Sequence, residues 1–485
     1  MRTKTTPLIL ALTSATLLAA CGPTSSDDAG DGNAPAGGSS DGGTTQTADA
    51  GDAASETDPA GTSDGAAGTG SADEAAETHE SAGPSPRLAL TYDGGVMVLD
   101  ALDLEVEGDF PAEGFTRLNP AGDGRHMLLT EGESFRLLDA GTWSEPHGNH
   151  DHSYTTAPTL TDQRVEGSHP GHAVAHGGRT ALYFDGAGRI DLLDPATLDI
   201  ETSIDVDEAH HGVAVMLEDG AMLETVGTED ERTGARVLDA NGDELASTDE
   251  CPGVHGEATA EGGAVVLGCE DGLVVLADGA FTKISSPDDY GRIGNQAGSE
   301  LSPVVLGDYK SDPDAELERP EQVSLTDTAT GELQLVDLGT SYSFRSLARG
   351  PQGEALVLGT DGELHVIDPA SGEVTQELPV VEEWTEPTEW QQPRPTLFVM
   401  GQFGYVTEPA TQELHVVDLD AMEIIDSAEL PQVPNEISGV SGRDEAAGSH
   451  SEDEHGDEDH GDEDHEGHDH GDEEHSDEDH EGHDH

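Results

Sequence analysis

From Arg87 to Arg443 the apolar positions come in short alternating runs, punctuated by Gly, Asp and Asn. A period of two, broken every few residues by turn formers, predicts strands joined by tight turns. No stretch holds apolar residues at helical spacing long enough for a helix of convincing length. The pattern therefore predicts an all-β body.

The runs also repeat. "GGVMVLDALDLEV", "GRIDLLDPATLDI", "GELHVIDPASGEV" and "QELHVVDLDAMEI" share an alternating apolar strand, an Asp, a turn and a second strand. Weaker copies are "SFRLLDAGTW", "GARVLDANGDEL", "GLVVLADGAF" and "VSLTDTATGEL". A further strand pair precedes each copy, as in "HAVAHGGRTALYFDGAGRIDLLD". A unit of about 40 residues with four short strands is the signature of a propeller blade. Residues 87–443 are thus predicted to form a β-propeller of eight blades, with seven the alternative. Innermost strands are expected near Phe115, His172, His211, His255, Ile293, Phe344, Pro395 and Ile437. The last would pair with the strand that starts at Arg87, so the two chain ends would share one blade and leave no open sheet edge.

The flanking segments lack this pattern. In residues 1–20, Arg2 and Lys4 precede "PLILALTSATLLAA", an apolar stretch too short for a membrane span, which reads as a signal peptide. It ends in "LAAC", which resembles the lipobox of bacterial lipoproteins, with lipidation expected on Cys21. The protein is therefore expected outside the cytoplasm, held to the membrane by a lipid. Residues 21–86 are Gly, Ala, Ser, Thr and Asp with almost no large apolar side chain, too few to offset chain entropy. They predict a disordered tether with an r.m.s. span of about 45 Å. Residues 444–485 form a His- and acid-rich tail, also expected to be disordered, that ends in near-copies of one decapeptide, "GDEDHEGHDH" and "SDEDHEGHDH".

Charge narrows the partners. The chain carries 103 Asp and Glu against 19 Lys and Arg, a net charge of −84. Only 21 of the acids lie in residues 444–485 and 13 in residues 22–86, so most belong to the body. Nucleic acid and anionic lipid surfaces would be repelled, and cations are the natural ligands.

Histidine supplies the candidate chemistry. "GHAVAH", "HHGVAV" and "VHGEAT" put His172, His211 and His255 at matching positions of three successive blades; in later blades the matching residues are near Asn295 and Arg345. Innermost strands of a propeller line its channel, so the three imidazoles are expected to converge on one mouth of it. A lone histidine is more often a hydrogen-bonded structural residue; three in register favour a zinc site, completed by a carboxylate or water. Glu257 and Asp151 are available carboxylates, and His176 is a further candidate near the channel. His169 and His210 are expected to support neighbouring ligands through hydrogen bonds. His126, His365 and His415 occupy outer positions of their repeats and read as structural.

"SEPHGNHDHSY" brings His147, His150 and His152 together between blade units, beside Asp151. It is expected to be a loop that closes over the channel mouth or holds a second ion. The tail contributes His450, His455, His460, His465, His468, His470, His475, His480, His483 and His485. Imidazole among carboxylates suits Zn²⁺ as well as other divalent transition metals. With no apolar residues to shape a site, the tail is expected to bind several ions weakly and exchange them fast. Cys251 and Cys269 read either as a disulfide or as a thiolate pair; no CxxC spacing supports the latter.

"EPHGNHDHSY", "HPGHAVAHGGRTALYFDG", "HHGVAV" and "CPGVHGEATAEGGAVVLGCEDG" together resemble the bacterial zinc metallochaperones of the AztD type. The resemblance is dense over residues 140 to 280 and weak beyond. It implies an exported β-propeller, not an enzyme, that binds Zn²⁺ through histidines and hands it to the solute-binding protein of a zinc ABC transporter. It also implies a bridge between Cys251 and Cys269. The lipid anchor, tether and tail depart from the family pattern. Two other readings compete: an adhesion or scaffold propeller with a metal-buffering tail, and a metal-dependent propeller hydrolase. The sequence offers the latter no DxDxDG calcium loop and no Trp-rich repeat, only Trp143, Trp384 and Trp390.

Overall fold

The computed structural model describes residues 77–148 and 150–443. The signal segment, Cys21, the tether up to residue 76, Asn149 and every tail histidine lie outside the described residues. Within them the chain is all-β; its one helical element is the 3-10 turn Glu261–Gly263.

Strands assemble into eight successive sheets among the described residues, each a four-stranded antiparallel meander, with a propeller-like arrangement; one of them gains a short fifth strand, Gly291–Arg292, paired parallel. One sheet runs Pro170–His176, Arg179–Phe184, Arg189–Leu193 and Ile200–Asp205, each strand beside the next. Its second strand is buried from Thr180 to Phe184, whereas the fourth is almost wholly exposed. Middle strands are covered on both faces by the neighbouring sheets, which is why they read as nearly continuous apolar runs. One such interface packs Val213, Val215, Leu223 and Val237 of one sheet against Val254, Val265, Leu267 and Val274 of the next. Each fully buried aliphatic side chain there stabilises the fold by about 1.5–3 kcal/mol.

First strands begin at Leu118, Pro170, Ala214, His255, Gln296, Tyr342, Thr396 and Ile437, each within a few residues of its expected place. Ile437–Val440 pairs antiparallel with Arg87–Tyr92, with Arg87 opposite Val440 and Leu90 opposite Ile437. One sheet is therefore built from both ends of the body.

Two expectations change. The body does not begin at Arg87: His79–Ser81, inside the presumed tether, is a strand. Strand addition uses backbone hydrogen bonds, so apolar content does not forecast it. Nor is "HGNHDH" a loop. Thr142–His147 and His150–Thr155 form a hairpin that turns at Gly148, and His79–Ser81 adds to it as a third strand.

The hairpin also lies at the wrong end to cover the histidines of the first strands. It interrupts the chain between Ser134–Asp139 and Thr159–Glu166, at the end of their sheet where Asp139 faces Thr159. The strand Thr159–Glu166 then runs to the opposite end before the chain enters Pro170–His176. Antiparallel reversal thus separates the hairpin from the start of the His172 strand by a full strand length, about 20 Å or more.

Candidate metal centres

His172, His211 and His255 converge, although their backbones differ. His172 sits where the register of its strand shifts between Pro170 and Ala173, a β-bulge. His255 opens its strand, with another shift before Glu257 at Gly256, whose φ is 71°. His211 lies in the bend ahead of Ala214–Met216 and not in the strand itself. Bulges re-aim side chains, which lets three unlike positions meet. One ligand atom from each ring lies within 4.8 Å of the others, and all three residues are half-buried. Ring centroids are 5.1 Å apart for His172 and His211, 5.2 Å for His211 and His255, and 6.1 Å for His172 and His255.

Two rings are oriented by partners. His211 Nδ1 is 2.6 Å from Asp185 Oδ2, and His255 Nδ1 donates to the Gly294 carbonyl at 2.8 Å. Each bond commits Nδ1 as donor and leaves Nε2 as the lone pair, the usual design for a metal-binding imidazole. Burial, reinforced by His211, pushes His255 down to about 3. Burial and then His211 and His255 hold His172 well below the ordinary histidine range. Both are neutral imidazoles at pH 7, the form that binds metal.

Glu257 Oε2 stands 3.8 Å from His172 Nδ1, and burial, opposed by Arg117, pushes its carboxyl up to about 7. With Asp185 engaged by His211, Glu257 is the carboxylate candidate for a fourth ligand, although it lies outside the group whose ligand atoms are within 4.8 Å of one another. His176 is not in the group: its Nδ1 is bonded to the Met216 carbonyl at 2.5 Å. His210 is buried and engages Tyr183, Thr225 and the Glu208 carbonyl. His169, exposed, contributes its carbonyl, which accepts from the backbone N–H of Asp185 at 2.9 Å. The bridge Cys251–Cys269 is present; it joins the approach to the His255 strand to the end of the strand paired with it.

The later equivalents are closed by their own partners. Asn295 donates to Asp308, and Arg345 donates to Asn435 and Glu436. His365 and His415 are buried in third strands beside Asp361 and Glu408, and His126 beside Asp123.

Sequence reasoning missed Asp185. It ends "YFDG", and the pairing of Pro170 with Phe184 brings it level with "HPGH". The contact is close enough that a Cβ on Gly171 would stand 2.3 Å from Asp185 Oδ1. A glycine two residues beyond His169 was the available signal.

A second group lies on the hairpin. His147, His150 and His152 also bring ligand atoms within 4.8 Å of one another, with His147 and His150 exposed. His150 Nε2 is 3.2 Å from His152 Nε2. Asp151, opposite Pro146, is exposed and outside this group. Glu80 takes the role expected of a neighbouring carboxylate: its Oε1 is 2.7 Å from His152 Nδ1.

No family model matches the chain. In sequence it is 27% identical over 375 residues to the zinc chaperone AztD of Citrobacter koseri, which covers 74% of this chain and 87% of that protein. The fold is similar to the crystal structure of Citrobacter koseri AztD, with a TM-score of 0.65, and to the structure of apo AztD from the same organism, with 0.63. Both are 25% identical to this chain and are matched over 74% of it and 98% of their own length.

Proposed function

We propose that this chain, AztD-type in sequence and fold, is a zinc carrier that works outside the cytoplasmic membrane and passes its ion to the solute-binding protein of a zinc ABC transporter. The observation that carries the reading is the convergence of His172, His211 and His255, with Asp185 and Gly294 turning two of the rings toward a common point. Three imidazoles with one position left for a carboxylate, water or partner suit Zn²⁺. An open fourth position also gives a receiving protein a place to attack, which a closed four-ligand cage would not.

Other parts of the reading fit around that centre. Eight successive sheets built on four antiparallel strands, one with a short fifth strand added, and the pairing of the last strand with Arg87–Tyr92 support a closed eight-bladed propeller whose first strands line a channel. "LAAC" supports a lipid anchor on Cys21, and the compartment it implies suits the Cys251–Cys269 bridge. The hairpin histidines make a second zinc site, more exposed than the first. The tail, by its composition, collects ions weakly. Zinc is cargo here, and no reaction is assigned to the protein.

Zinc titration against a competing chelator tests the proposal on three proteins: the full chain, a chain ending at Arg443, and H172A/H211A/H255A. Tight binding is expected to survive truncation and to fall by one site in the triple variant. If the truncated chain binds no zinc tightly, the scaffold reading with a metal-buffering tail replaces this one. Metal-dependent hydrolysis of phosphate esters or lactones that is lost in the triple variant would instead make the protein an enzyme. Transfer is read by mixing the loaded chain with the purified solute-binding protein and following the ion.

A further inference from the structure

The strand His79–Ser81 is the first strand of the described chain, and it pairs with the hairpin. His79 lies opposite Thr155, Glu80 opposite Tyr154 and Ser81 opposite Ser153. From this strand the Glu80 side chain reaches His152, with Oε1 2.7 Å from Nδ1. A carboxylate only accepts, so His152 Nδ1 donates and Nε2 keeps its lone pair. That same Nε2 faces His150 Nε2 at 3.2 Å, inside the three-histidine group.

The tip of the hairpin, from Glu145 to Asp151, is exposed among the described residues, whereas its base is held: Trp143 stacks on Tyr154 and carries the Arg125 guanidinium 4.2 Å over its ring, Thr142 and Ser153 are buried, and Ser144 and Ser153 form a hydroxyl pair. Two strands alone are marginally stable in water, and a third strand changes that. This third strand is only three residues long, with His79 and Glu80 exposed, so few contacts retain it in turn.

We propose that His79–Ser81 is a metal-dependent strap and that Glu80 is the positioning residue of the hairpin site. Glu80 holds His152 in the tautomer and orientation that present Nε2 to a divalent cation. Metal on Nε2 makes the Nδ1–H more acidic and its bond to the carboxylate stronger. The coupling is reciprocal: the factor by which the docked strap raises metal affinity is the factor by which metal raises docking of the strap. Loading thereby fastens the end of the tether segment to the hairpin, and unloading frees it. The inference rests on the hairpin binding zinc, and the experiment separates the two.

Hydrogen exchange of the full chain is followed in zinc buffered by nitrilotriacetate, reading amides 79–81 and 150–155 separately. In the natural sequence zinc is expected to slow exchange at 79–81 at least about 10-fold. Glu80→Ala is expected to abolish that protection and shift the zinc midpoint read at 150–155 by about 10–100-fold, the usual effect of losing a ligand's hydrogen-bond partner. Glu80→Gln, which still accepts the bond without the charge, should fall between. A merely structural strand would lose protection with and without zinc alike and leave the midpoint in place. The proposal is overturned if Glu80→Ala leaves the midpoint unchanged, or if zinc protects 150–155 and not 79–81. If H147A/H150A/H152A binds as many zinc ions as the natural chain, the hairpin is no metal site and the premise fails instead.

Discussion

His172, His211 and His255 are gathered from three successive sheets, whereas His147, His150 and His152 come from the two arms of one hairpin. The first group is half-buried, and two of its rings are turned by Asp185 and by the Gly294 carbonyl, in the segment that leads into the next sheet. The second has two of its three residues exposed, and Glu80 of the added strand reaches His152. The first site can exist only when three successive sheets and the segment leading into the next are packed together; the second needs a single turn and a strap. Loop-closure entropy must be overcome for the long-range group before any ligand meets another, so its affinity carries the stability of the body with it. The hairpin group forms locally, and on the proposed reading it would be easier to load and to empty.

Removing a ligand should separate the two most sharply. His211→Ala is expected to cost the buried site more than the 10–100-fold typical of an outer hydrogen-bond partner, while hairpin binding, read by local hydrogen exchange, stays as it was. Equal losses at both sites would show that they are one cooperative unit. Asp185→Asn comes next: zinc affinity of the buried site should fall by about 10–100-fold, as measured by chelator competition, with no change in the melting curve of the hairpin strands.

Gly256→Ala probes the bulge that delivers His255. A Cβ there would stand 2.4 Å from Gln296 Oε1 and 2.5 Å from the Gly294 carbonyl, at a φ that side chains resist. Unfolding in urea should report a loss of about 1–3 kcal/mol, accompanied by weaker binding at the buried site, because the carbonyl that turns His255 must move. Reduction of Cys251–Cys269 should act more gently on zinc, though as strongly on stability. For a loop of this length a bridge contributes about 3 kcal/mol to stability, so the body should remain folded while zinc at His255 loosens several-fold. Smallest of all is truncation after Arg443, which should lower total zinc capacity in equilibrium dialysis and leave both three-histidine affinities where they were.

Much of the fold was legible because repetition compensates for weak local signals. "GELHVIDPASGEV" and "QELHVVDLDAMEI" each describe a third strand, a turn and a fourth strand, and aligning them located the first strands within a few residues. The histidines of "GHAVAH", "HHGVAV" and "VHGEAT" were legible for the same reason. Their match was in sequence and not in backbone: one sits in a bulge, one at a strand start and one in a bend, and no periodicity encodes a bulge. The hairpin was misread as a loop since "HGNHDH" is polar throughout and an exposed ribbon has no buried face to mark it. Asp185, Gly294 and Glu80 were hidden because each reaches its histidine from another strand or sheet, through a contact that only the register reveals. His176, at the far end of the His172 strand, points its ring at a carbonyl instead.

The pairing of Arg87–Tyr92 with Ile437–Val440 carries a consequence for how the protein is made. Synthesis runs from the amino end, so Leu88 to Leu90 waits for a partner that emerges roughly 350 residues later. At 5–20 residues per second that interval is about 17–70 s. Throughout it one apolar sheet edge stays open to any neighbouring chain, a recognised start for aggregation. A strain short of factors that shield nascent strands should therefore lose the natural chain and a variant that lacks only its metal ligands to the same extent.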